Sequence, residues 1–175
     1  KWLHEIKFDG YRILAFIKKG KVTRKTRNDK DYTAKFPAVA HALAKLQVDS
    51  AVIDGEAVIL DDKGHSDFQA LQAMLKNREK AEPVMYVFDL PFCNGYDLTR
   101  VPLLKRKELL EQILGQSKPG PRITYSDHTI GDGDVVVQKA CGMNLEGIIS
   151  KRADAPYVSR RDGNWLKSKC GQRQE

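Results

Sequence analysis

One segment near the start of the chain sets a lysine among carboxylates, a glycine and a guanidinium: Glu5-Ile6-Lys7-Phe8-Asp9-Gly10-Tyr11-Arg12. A lysine amine can attack the α-phosphate of a nucleotide and hold the nucleotide as a phosphoramidate, which divides one difficult transfer into two easier steps. The amine must first lose its proton, and burial or a neighbouring cation such as Arg12 would promote that loss. Lys7 is therefore a candidate nucleophile. The alternative is a solvated strand lysine beside an ordinary Asp-Gly turn.

Strand patterns lie on both sides of this segment. Residues 3 to 17 have strand character interrupted at Asp9 and Gly10, and residues 22 to 26 form a returning strand after a turn at 18 to 21. Apolar spacing predicts helices at 36–46, 68–75, 103–114 and 134–141, and strands at 51–60, 84–90, 123–125, 146–151 and 164–169. Helices and strands mix without strict alternation, which favours an α+β fold over a doubly wound sheet.

Length and composition fit one globular domain. The chain has 175 residues, of which 41% are hydrophobic. No apolar run approaches the roughly 20 residues that a membrane span needs, so we expect no membrane partner. Lys and Arg total 30 against 23 acidic residues, and this net charge of +7 favours a polyanionic partner through counterion release, although a basic soluble surface would explain it equally well.

The three cysteines, Cys93, Cys141 and Cys170, are odd in number and widely spaced. They form neither a C-x-x-C metal pattern nor a disulfide framework. A reducing cytoplasm is therefore the expected compartment.

Two carboxylates interrupt an apolar strand at Asp54-Gly55-Glu56. A carboxylate in such a run is costly unless it is paired, bound to a metal or placed at the edge of a cleft. Asp54 and Glu56 are two residues apart and would share one face of the strand. The pattern is consistent with a strand-edge salt bridge, or with cleft carboxylates that contact a ribose hydroxyl or a divalent ion.

The last two predicted strands carry further charged residues. Glu146 and Lys151 would lie on opposite faces of a regular strand, so both can enter one site only if the backbone turns or bulges. Lys167 and Lys169 would share a face, where they repel each other unless an anion such as a phosphate lies between them. Phe88, in an apolar strand, is either a core aromatic or a surface on which a base stacks.

The sequence contains no G-x-x-x-x-G-K-[ST] string and no G-x-G-x-x-G after a strand, so ATP would have to be held in another way, such as lysine capture. In order and spacing, the charged segments resemble the nucleotidyltransferase (adenylation) domain of ATP-dependent DNA ligases. The segments that carry the resemblance are Lys7-Phe8-Asp9-Gly10-Tyr11-Arg12, Thr26-Arg27-Asn28, Asp54-Gly55-Glu56, Tyr86-Val87-Phe88-Asp89-Leu90, residues 146–151 and Trp165-Leu166-Lys167-Ser168-Lys169. Residues 146–152, with Tyr157 and Arg160-Arg161, are similar to the ligase module of bacterial ligase D, a multifunctional end-joining enzyme.

The resemblance implies a role for each of these residues. Lys7 would carry the AMP, Arg12 would lie near the reacting phosphates or the 5′ phosphate of a nick, and Phe88 would stack on adenine. Glu56 and Glu146 would serve the ribose or a divalent metal, Mg²⁺ or Mn²⁺. The remaining catalytic and nucleotide-binding residues would be Lys167 and Lys169 on the α-phosphate, together with Glu5, Ile6, Arg27 and Lys151.

The resemblance also implies an architecture and partners. We expect two antiparallel sheets flanked by helices, with the nucleotide in the groove between them, over residues 1–175: the ATP-grasp-like nucleotidyltransferase fold of ligases. Expected partners are ATP, nicked double-stranded DNA, a C-terminal OB-fold domain, and fused polymerase and phosphoesterase modules. We expect a monomer in the bacterial cytoplasm, associated with the nucleoid.

Family members continue into the OB-fold domain and carry a segment before the position of Lys1. If both parts are absent, the first step should be weakened and there should be little or no unaided nick sealing.

Two other functions are compatible with parts of this pattern. An RNA ligase or a guanylyl-transferring mRNA-capping enzyme would use the same lysine chemistry. A basic nucleic-acid-binding module without catalysis would explain the charge. It would leave Asp54, Glu56 and Glu146 unexplained, because acids in a groove repel phosphate.

Overall fold

The computed structural model describes residues 1–26, 30–33, 35–77, 82–158 and 163–171. The strands are Trp2–Ile6 (β1), Tyr11–Lys18 (β2), Lys21–Thr26 (β3), Ser50–Val58 (β4), Val84–Cys93 (β5), Tyr96–Asp97 (β6), Ile123–Tyr125 (β7), His128–Ile130 (β8), Gly147–Arg152 (β9) and Trp165–Lys169 (β10). The helices are Pro37–Leu43 (α1), Phe68–Asn77 (α2), Leu103–Ser117 (α3) and Gly133–Gly142 (α4). None of the helices in these ranges is long and apolar enough to cross a membrane.

The strands form two sheets, as predicted. The small sheet has four antiparallel strands in the order β10-β9-β1-β8. The large sheet has the order β3-β2-β4-β5-β6, and β7 joins its β5 edge in parallel. The expected α+β class with two sheets and flanking helices is confirmed. Strand β7 was predicted, but its parallel pairing with β5 was not, since we expected both sheets to be antiparallel.

Four residues, Lys7 to Gly10, carry the chain from the small sheet to the large one. The broken strand predicted over residues 3 to 17 is therefore two strands in different sheets. The backbone N–H of Lys7 donates to the carbonyl of Gly147 (3.0 Å), and that of Asp9 donates to Ser66 Oγ (3.0 Å). The ring of Phe8 stacks on Tyr86 with centroids 3.9 Å apart. The crossover is thus fixed to both sheets.

Most of the core lies between the large sheet and three helices, α1, α2 and α3. Ile13, Leu43, Leu71, Val87 and Leu110 are all buried there. In a separate cluster, α4 covers the small sheet by packing Val137 and Ala140 against Ile148 of β9. Helix α4 contacts one face of the small sheet, which leaves the other face for the groove described below.

The predicted helices agree with the observed ones to within a few residues, and their start signals explain why. Pro37 lies in the first turn of α1, where proline is favoured because its missing N–H would have no partner there. Asp67 Oδ1 accepts a hydrogen bond from the backbone N–H of Ala70 (3.0 Å), which caps the first turn of α2. The short strands β6 and β8 were not predicted, because their residues are mostly exposed and, unlike β7, neither strand contributes a buried apolar residue.

The prediction that the cysteines form no disulfide was wrong for two of them. Cys141 and Cys170 are joined by a disulfide, while Cys93 is buried outside it. The pair is 29 residues apart in the sequence. Helix α4 and the end of β10 meet because both adjoin β9, a proximity that the cysteine spacing does not reveal.

Substituting Gly10 by alanine should weaken the fold. A Cβ atom at Gly10 would lie 2.1 Å from the carbonyl oxygen of Ala57, so the two backbones must move apart. We expect Gly10→Ala to lower the free energy of unfolding by about 1–3 kcal/mol in urea titrations, the usual cost of overpacking. Gly115→Ala is the matched control, because its Cβ meets no atom within 4 Å and should stabilise α3. Equal stability of the two variants would contradict this account.

Reducing the disulfide should destabilise the oxidised protein. Closing a loop of 29 residues restricts the unfolded chain by about 3–4 kcal/mol. We expect dithiothreitol to lower the free energy of unfolding of the wild type by this amount and to leave a Cys141→Ser/Cys170→Ser variant unchanged. An identical response of both proteins would show that the disulfide does not contribute. In a reducing cytoplasm the two thiols would instead remain separate.

Candidate active site

The two sheets face each other across a groove with a cavity of about 470 Å³. The small sheet contributes residues of β1, β9 and β10 to its lining, and the large sheet contributes residues of β2, β4 and β5. Seven of the predicted nucleotide-binding residues line it: Glu5, Ile6, Arg12, Glu56, Phe88, Lys151 and Lys167. The tertiary structure therefore collects most of the predicted site from distant parts of the chain.

Lys7 lies in the crossover and pairs with Glu146. Its Nζ atom is 2.5 Å from Glu146 Oε1, and the Lys7 side chain is 11% exposed. Glu146 precedes β9, so strand alternation does not apply to it, and Lys151 reaches the groove from within β9. Glu146 and Lys151 are therefore not required to lie on opposite faces of one strand, as a regular strand over 146–151 would require. The nearby Asp9 is influenced by the same charges: burial and Glu146 raise its pKa, while Lys7 and Lys169 act in the opposite direction.

Arg12 is held by a buried carboxylate. Asp54 Oδ1 accepts from Arg12 Nε (3.0 Å), and Asp54 Oδ2 accepts from Arg12 Nη2 (2.6 Å) and from the Tyr157 hydroxyl (2.8 Å). Burial disfavours the charge on Arg12, but the bonds to Asp54 outweigh it and raise the Arg12 pKa. Asp54 is 0% exposed and lies on β4 inside the large sheet. Asp54 is thus a buried salt-bridge partner that orients Arg12. It belongs to an interior strand of the large sheet, between β2 and β5, and does not form the strand-edge salt bridge considered from the sequence.

Glu56, the other carboxylate of this pair, lines the groove and is half-buried. It lies opposite Arg12 in the pairing of β2 with β4. Burial raises the pKa of Glu56 to about 7, with Asp54 adding to the effect and Arg12 opposing it. A carboxyl group that changes charge near neutral pH is consistent with a site that receives a ribose hydroxyl or a cation.

Two cations and two aromatic rings form a cluster at one end of the groove. Lys151 Nζ is 4.0 Å from the ring centroids of both Phe88 and Trp165. The guanidinium carbon of Arg12 is 4.9 Å from the Trp165 centroid, and the two rings meet edge to face at 5.7 Å. Phe88 is 7% exposed and is both a core aromatic and a lining residue, so the two alternatives considered for it are compatible.

The two lysines of β10 occupy different places. Lys167 lies opposite Ile149 and lines the groove. Lys169 lies opposite Gly147 and lines a second cavity, of about 710 Å³, between β10 and α4. Its charge still reaches Asp9 beside the crossover. The predicted Arg27 and the Arg160-Arg161 pair lie outside the described residues.

The described part of the chain contains no group of three or more His, Cys, Asp or Glu side chains arranged to hold a metal ion. Glu56 and Glu146 are the two carboxylates that were predicted for this role. Mg²⁺ is commonly bound by one or two protein carboxylates together with substrate phosphates and water. The donor set therefore fits an ion that arrives with a nucleotide.

Sequence reasoning missed two buried cations of α3, Arg106 and Lys107, because charged side chains on a helix are ordinarily solvated. Arg106 donates to both carboxylate oxygens of Asp89 (2.7 and 3.0 Å), and Lys107 lies 2.9 Å from Glu5 Oε2. A signal was present in the sequence. Leu103, Arg106, Lys107 and Leu110 follow the i, i+3, i+4, i+7 spacing of a buried helix face.

The comparisons with known proteins agree with the fold. A model of the ATP dependent DNA ligase domain matches residues 1–169. The chain is 40% identical over 176 residues to the multifunctional non-homologous end joining protein LigD of Pseudomonas aeruginosa, covering 100% of this chain and 21% of that protein. It is 31% identical to the SPbeta prophage-derived DNA ligase-like protein LigB of Bacillus subtilis, covering 95% of this chain and 60% of that one.

Solved structures give the same result. The chain matches mycobacterial DNA ligase D complexed with ATP and MES with a TM-score of 0.84 and 32% identity, over 97% of this chain and 54% of the other. The ligase domain of LigD from M. tuberculosis matches with a TM-score of 0.83 and 32% identity, over 96% and 54%.

Fold and groove thus define a nucleotidyltransferase domain of the ligase type. More particularly, the chain belongs to the ATP-dependent DNA ligase domain family and is homologous to the ligase domain of LigD. It spans about a fifth of the LigD relative and about half of the matched LigD structures.

The raised pKa of Glu56 predicts a pH-dependent stability. Between its ordinary pKa of 4.5 and about 7, Glu56 is protonated in the folded state and ionised in the unfolded state, so stability falls as the pH rises. Relative to Glu56→Gln, the wild type should lose up to about 3 kcal/mol of unfolding free energy across this range, measured by urea titration at several pH values. Glu111→Gln on α3 is the exposed control. If the difference in unfolding free energy between the wild type and Glu56→Gln were the same at every pH, the raised pKa of Glu56 would be refuted.

Proposed function

We propose that this chain is the adenylation module of an enzyme that joins DNA strands, with Lys7 as the residue that becomes covalently adenylated. The observation that carries the proposal is the position of Lys7. It lies on the crossover between the two sheets, paired with Glu146 at 2.5 Å, beside a groove lined by Arg12, Lys151 and Lys167. An amine beside a cationic groove suits attack on a phosphate.

In the first step the Lys7 Nζ atom attacks the α-phosphorus of ATP. A P–N bond forms as the P–O bond to pyrophosphate breaks, and pyrophosphate leaves with the displaced electron pair. The amine must give up a proton for this attack, and the Glu146 carboxylate is in contact with it. Arg12 and Lys167 lie where they could offset the charge of the phosphates, which is the main catalytic requirement of this kind of transfer.

In the later steps the AMP leaves the lysine. An oxygen of a 5′ phosphate attacks the AMP phosphorus, the P–N bond breaks and Lys7 recovers its proton. The 3′ hydroxyl then attacks the activated 5′ phosphate, and AMP departs. Arg12 could contact the 5′ phosphate, since Asp54 and Tyr157 hold its guanidinium at the groove.

Glu56 and Glu146 would hold the divalent ion, Mg²⁺ or Mn²⁺. Such an ion would neutralise phosphate charge and compete with Lys7 for Glu146. Within the groove, Glu5 and Ile6 would contact the base and Phe88 would stack on it. Lys151, which donates to Glu5 and lies over the Phe88 ring, would support this base-binding end, and Lys167 would face the phosphates. Lys169 and Arg27 are assigned to phosphate and ribose binding by their motif positions.

The whole protein would act on nicked double-stranded DNA in repair by end joining, as the names of the LigD relatives suggest. Its net charge of +7 supports a polyanionic partner. A C-terminal OB-fold domain and fused polymerase and phosphoesterase modules would complete the enzyme, because the chain covers 21% of the LigD relative. A monomer in the bacterial cytoplasm, near the nucleoid, is the simplest setting.

Covalent labelling tests this proposal. The chain is incubated with α-³²P-labelled ATP and Mg²⁺ or Mn²⁺, denatured and examined for label on the protein. We expect label that is lost in acid, as a phosphoramidate is, and that Lys7→Ala abolishes. Lys18→Ala, which removes an exposed lysine of β2, should label as the wild type does.

Competition separates the alternatives. Excess unlabelled GTP should leave the label intact, whereas a capping-type enzyme would lose it. Absence of label, with no AMP adduct in the intact mass and none after an OB-fold domain is joined to the chain, would reject the enzyme in favour of a nucleic-acid-binding module.

A further inference from the structure

Trp165 is an aromatic side chain of the small sheet that reaches a cation of the large sheet. It begins β10 and lines the groove. The guanidinium carbon of Arg12, which belongs to β2, lies over the indole at 4.9 Å from the ring centroid. The contact therefore joins the two sheets across the groove. None of the steps described above uses Trp165.

The guanidinium of Arg12 is held on one edge and one face, and its other edge is left for a ligand. Its Nε and Nη2 atoms donate to the two carboxylate oxygens of Asp54 (3.0 and 2.6 Å). Trp165 lies within the distance at which a cation is attracted to an indole. Among the residues that the structure describes, no group accepts a hydrogen bond from Nη1, and the Arg12 side chain is 26% exposed. The Nη1 edge is therefore available to an anion in the groove.

The two contacts restrict different movements of the guanidinium. A bidentate pair with a carboxylate fixes the group within its plane, but it still allows the plane to tilt about the line that joins the two groups. A guanidinium that lies over an aromatic ring is held against such a tilt. Phe88 is farther from Arg12, at 5.7 Å, so the indole is the closer of the two rings. Asp54 thus sets the place of the guanidinium, and Trp165 sets the direction of its free edge.

The direction of this edge matters for phosphate chemistry. Donors that stabilise developing charge must be in place before the reaction, because moving them during it would cost part of their effect. A displacement of about 1 Å can lower a rate by about 100-fold. Since Arg12 and Trp165 belong to different sheets, the guanidinium is correctly placed only while the two sheets keep their separation.

We propose that Trp165 is a positioning residue for Arg12, whose indole keeps the free Nη1 edge directed at the phosphates of a bound nucleotide. The inference rests on the proposed function, which supplies the identity of those phosphates. It adds a residue of β10 that acts on the reaction through Arg12.

A purely structural role for Trp165 is the alternative to exclude. Its ring also lies 4.0 Å from Lys151 Nζ and meets Phe88 edge to face, so its loss could simply loosen the packing of this cluster. The chain offers a matched control. Trp2, the other tryptophan, contacts Arg152 at 5.8 Å and is not among the residues that line the groove.

The first test measures the rate of self-adenylation with labelled ATP, using the chain alone or joined to an OB-fold domain, whichever takes up label. Trp165→Leu keeps an apolar side chain without a π face. We expect it to lower the maximal rate constant by about 10- to 100-fold, with less than about a threefold change in the half-saturating ATP concentration. Trp165→Phe restores an aromatic face and should recover most of the rate. Trp2→Leu should label as the wild type does.

A double variant separates positioning from packing. Arg12→Ala should cost at least as much rate as Trp165→Leu, and the two changes together should cost no more than Arg12→Ala alone, because both act through one guanidinium. If the two losses multiply, or if Trp165→Phe is as slow as Trp165→Leu, the proposal is overturned.

A spectroscopic test does not depend on covalent transfer. In a Lys7→Ala/Trp2→Phe chain, Trp165 is the remaining tryptophan and reports on its own surroundings. We expect saturating ATP to change its fluorescence emission, because the phosphates engage the guanidinium that lies over the ring. Adenosine, which has no phosphates, should not produce this change, and Arg12→Ala should abolish it. An emission change that adenosine reproduces, or that survives Arg12→Ala, contradicts the role of Trp165.

The outcomes distinguish this proposal from the proposed function. Covalent labelling of the wild type, with losses that multiply in the double variant, rejects only the role of Trp165. Absence of labelling, with an emission change that requires both the phosphates and Arg12, rejects only the adenylation function. Emission that ATP leaves unchanged also rejects the role of Trp165.

Discussion

The close approach of two backbones at Gly10 is the constraint on which the site depends. The chain passes from the small sheet to the large one in four residues, and it does so with no room for a Cβ atom between Gly10 and Ala57. This short connection sets the distance between the sheets, and so the width of the groove. It also leaves Lys7 beside the groove, paired with Glu146 at the start of β9. The crossover therefore fixes both the arrangement of the two sheets and the position of Lys7, the residue that we propose as the nucleophile.

Buried ion pairs lie in the walls of the groove and directly behind them. Asp54, Asp89 and Glu5 are each at most 3% exposed, and each is paired with at least one basic side chain. Such pairs add little net stability, since desolvation offsets most of their attraction. They do hold their cations in fixed orientations. The buried ion pairs therefore fix the position of Arg12 at the groove and lower the pKa of Glu5.

The relation to DNA ligases explains why these features occur together. The family model covers nearly the whole chain, and the fold matches LigD ligase domains at TM-scores of 0.84 and 0.83. In such a domain the groove must accept a nucleotide, neutralise its phosphates and keep one amine ready for attack. Lys7 paired with Glu146, the cations around Phe88 and Trp165, and Glu56 with its raised pKa are the groups from both sheets that we propose for these tasks.

The sequence was enough to predict most of the local elements and to nominate seven of the residues that line the groove. Strand and helix periodicity, the Asp-Gly break and the charged residues in apolar runs are visible within a few positions of one another. Only the tertiary structure decided that β1 and β2 belong to different sheets, that Asp54 orients Arg12 rather than facing the groove, and that Cys141 meets Cys170. It also revealed Lys107, because a lysine on a helix is ordinarily solvated. Its burial arises from where α3 packs against the sheets, and contacts between residues more than a hundred positions apart leave no local pattern in a single sequence.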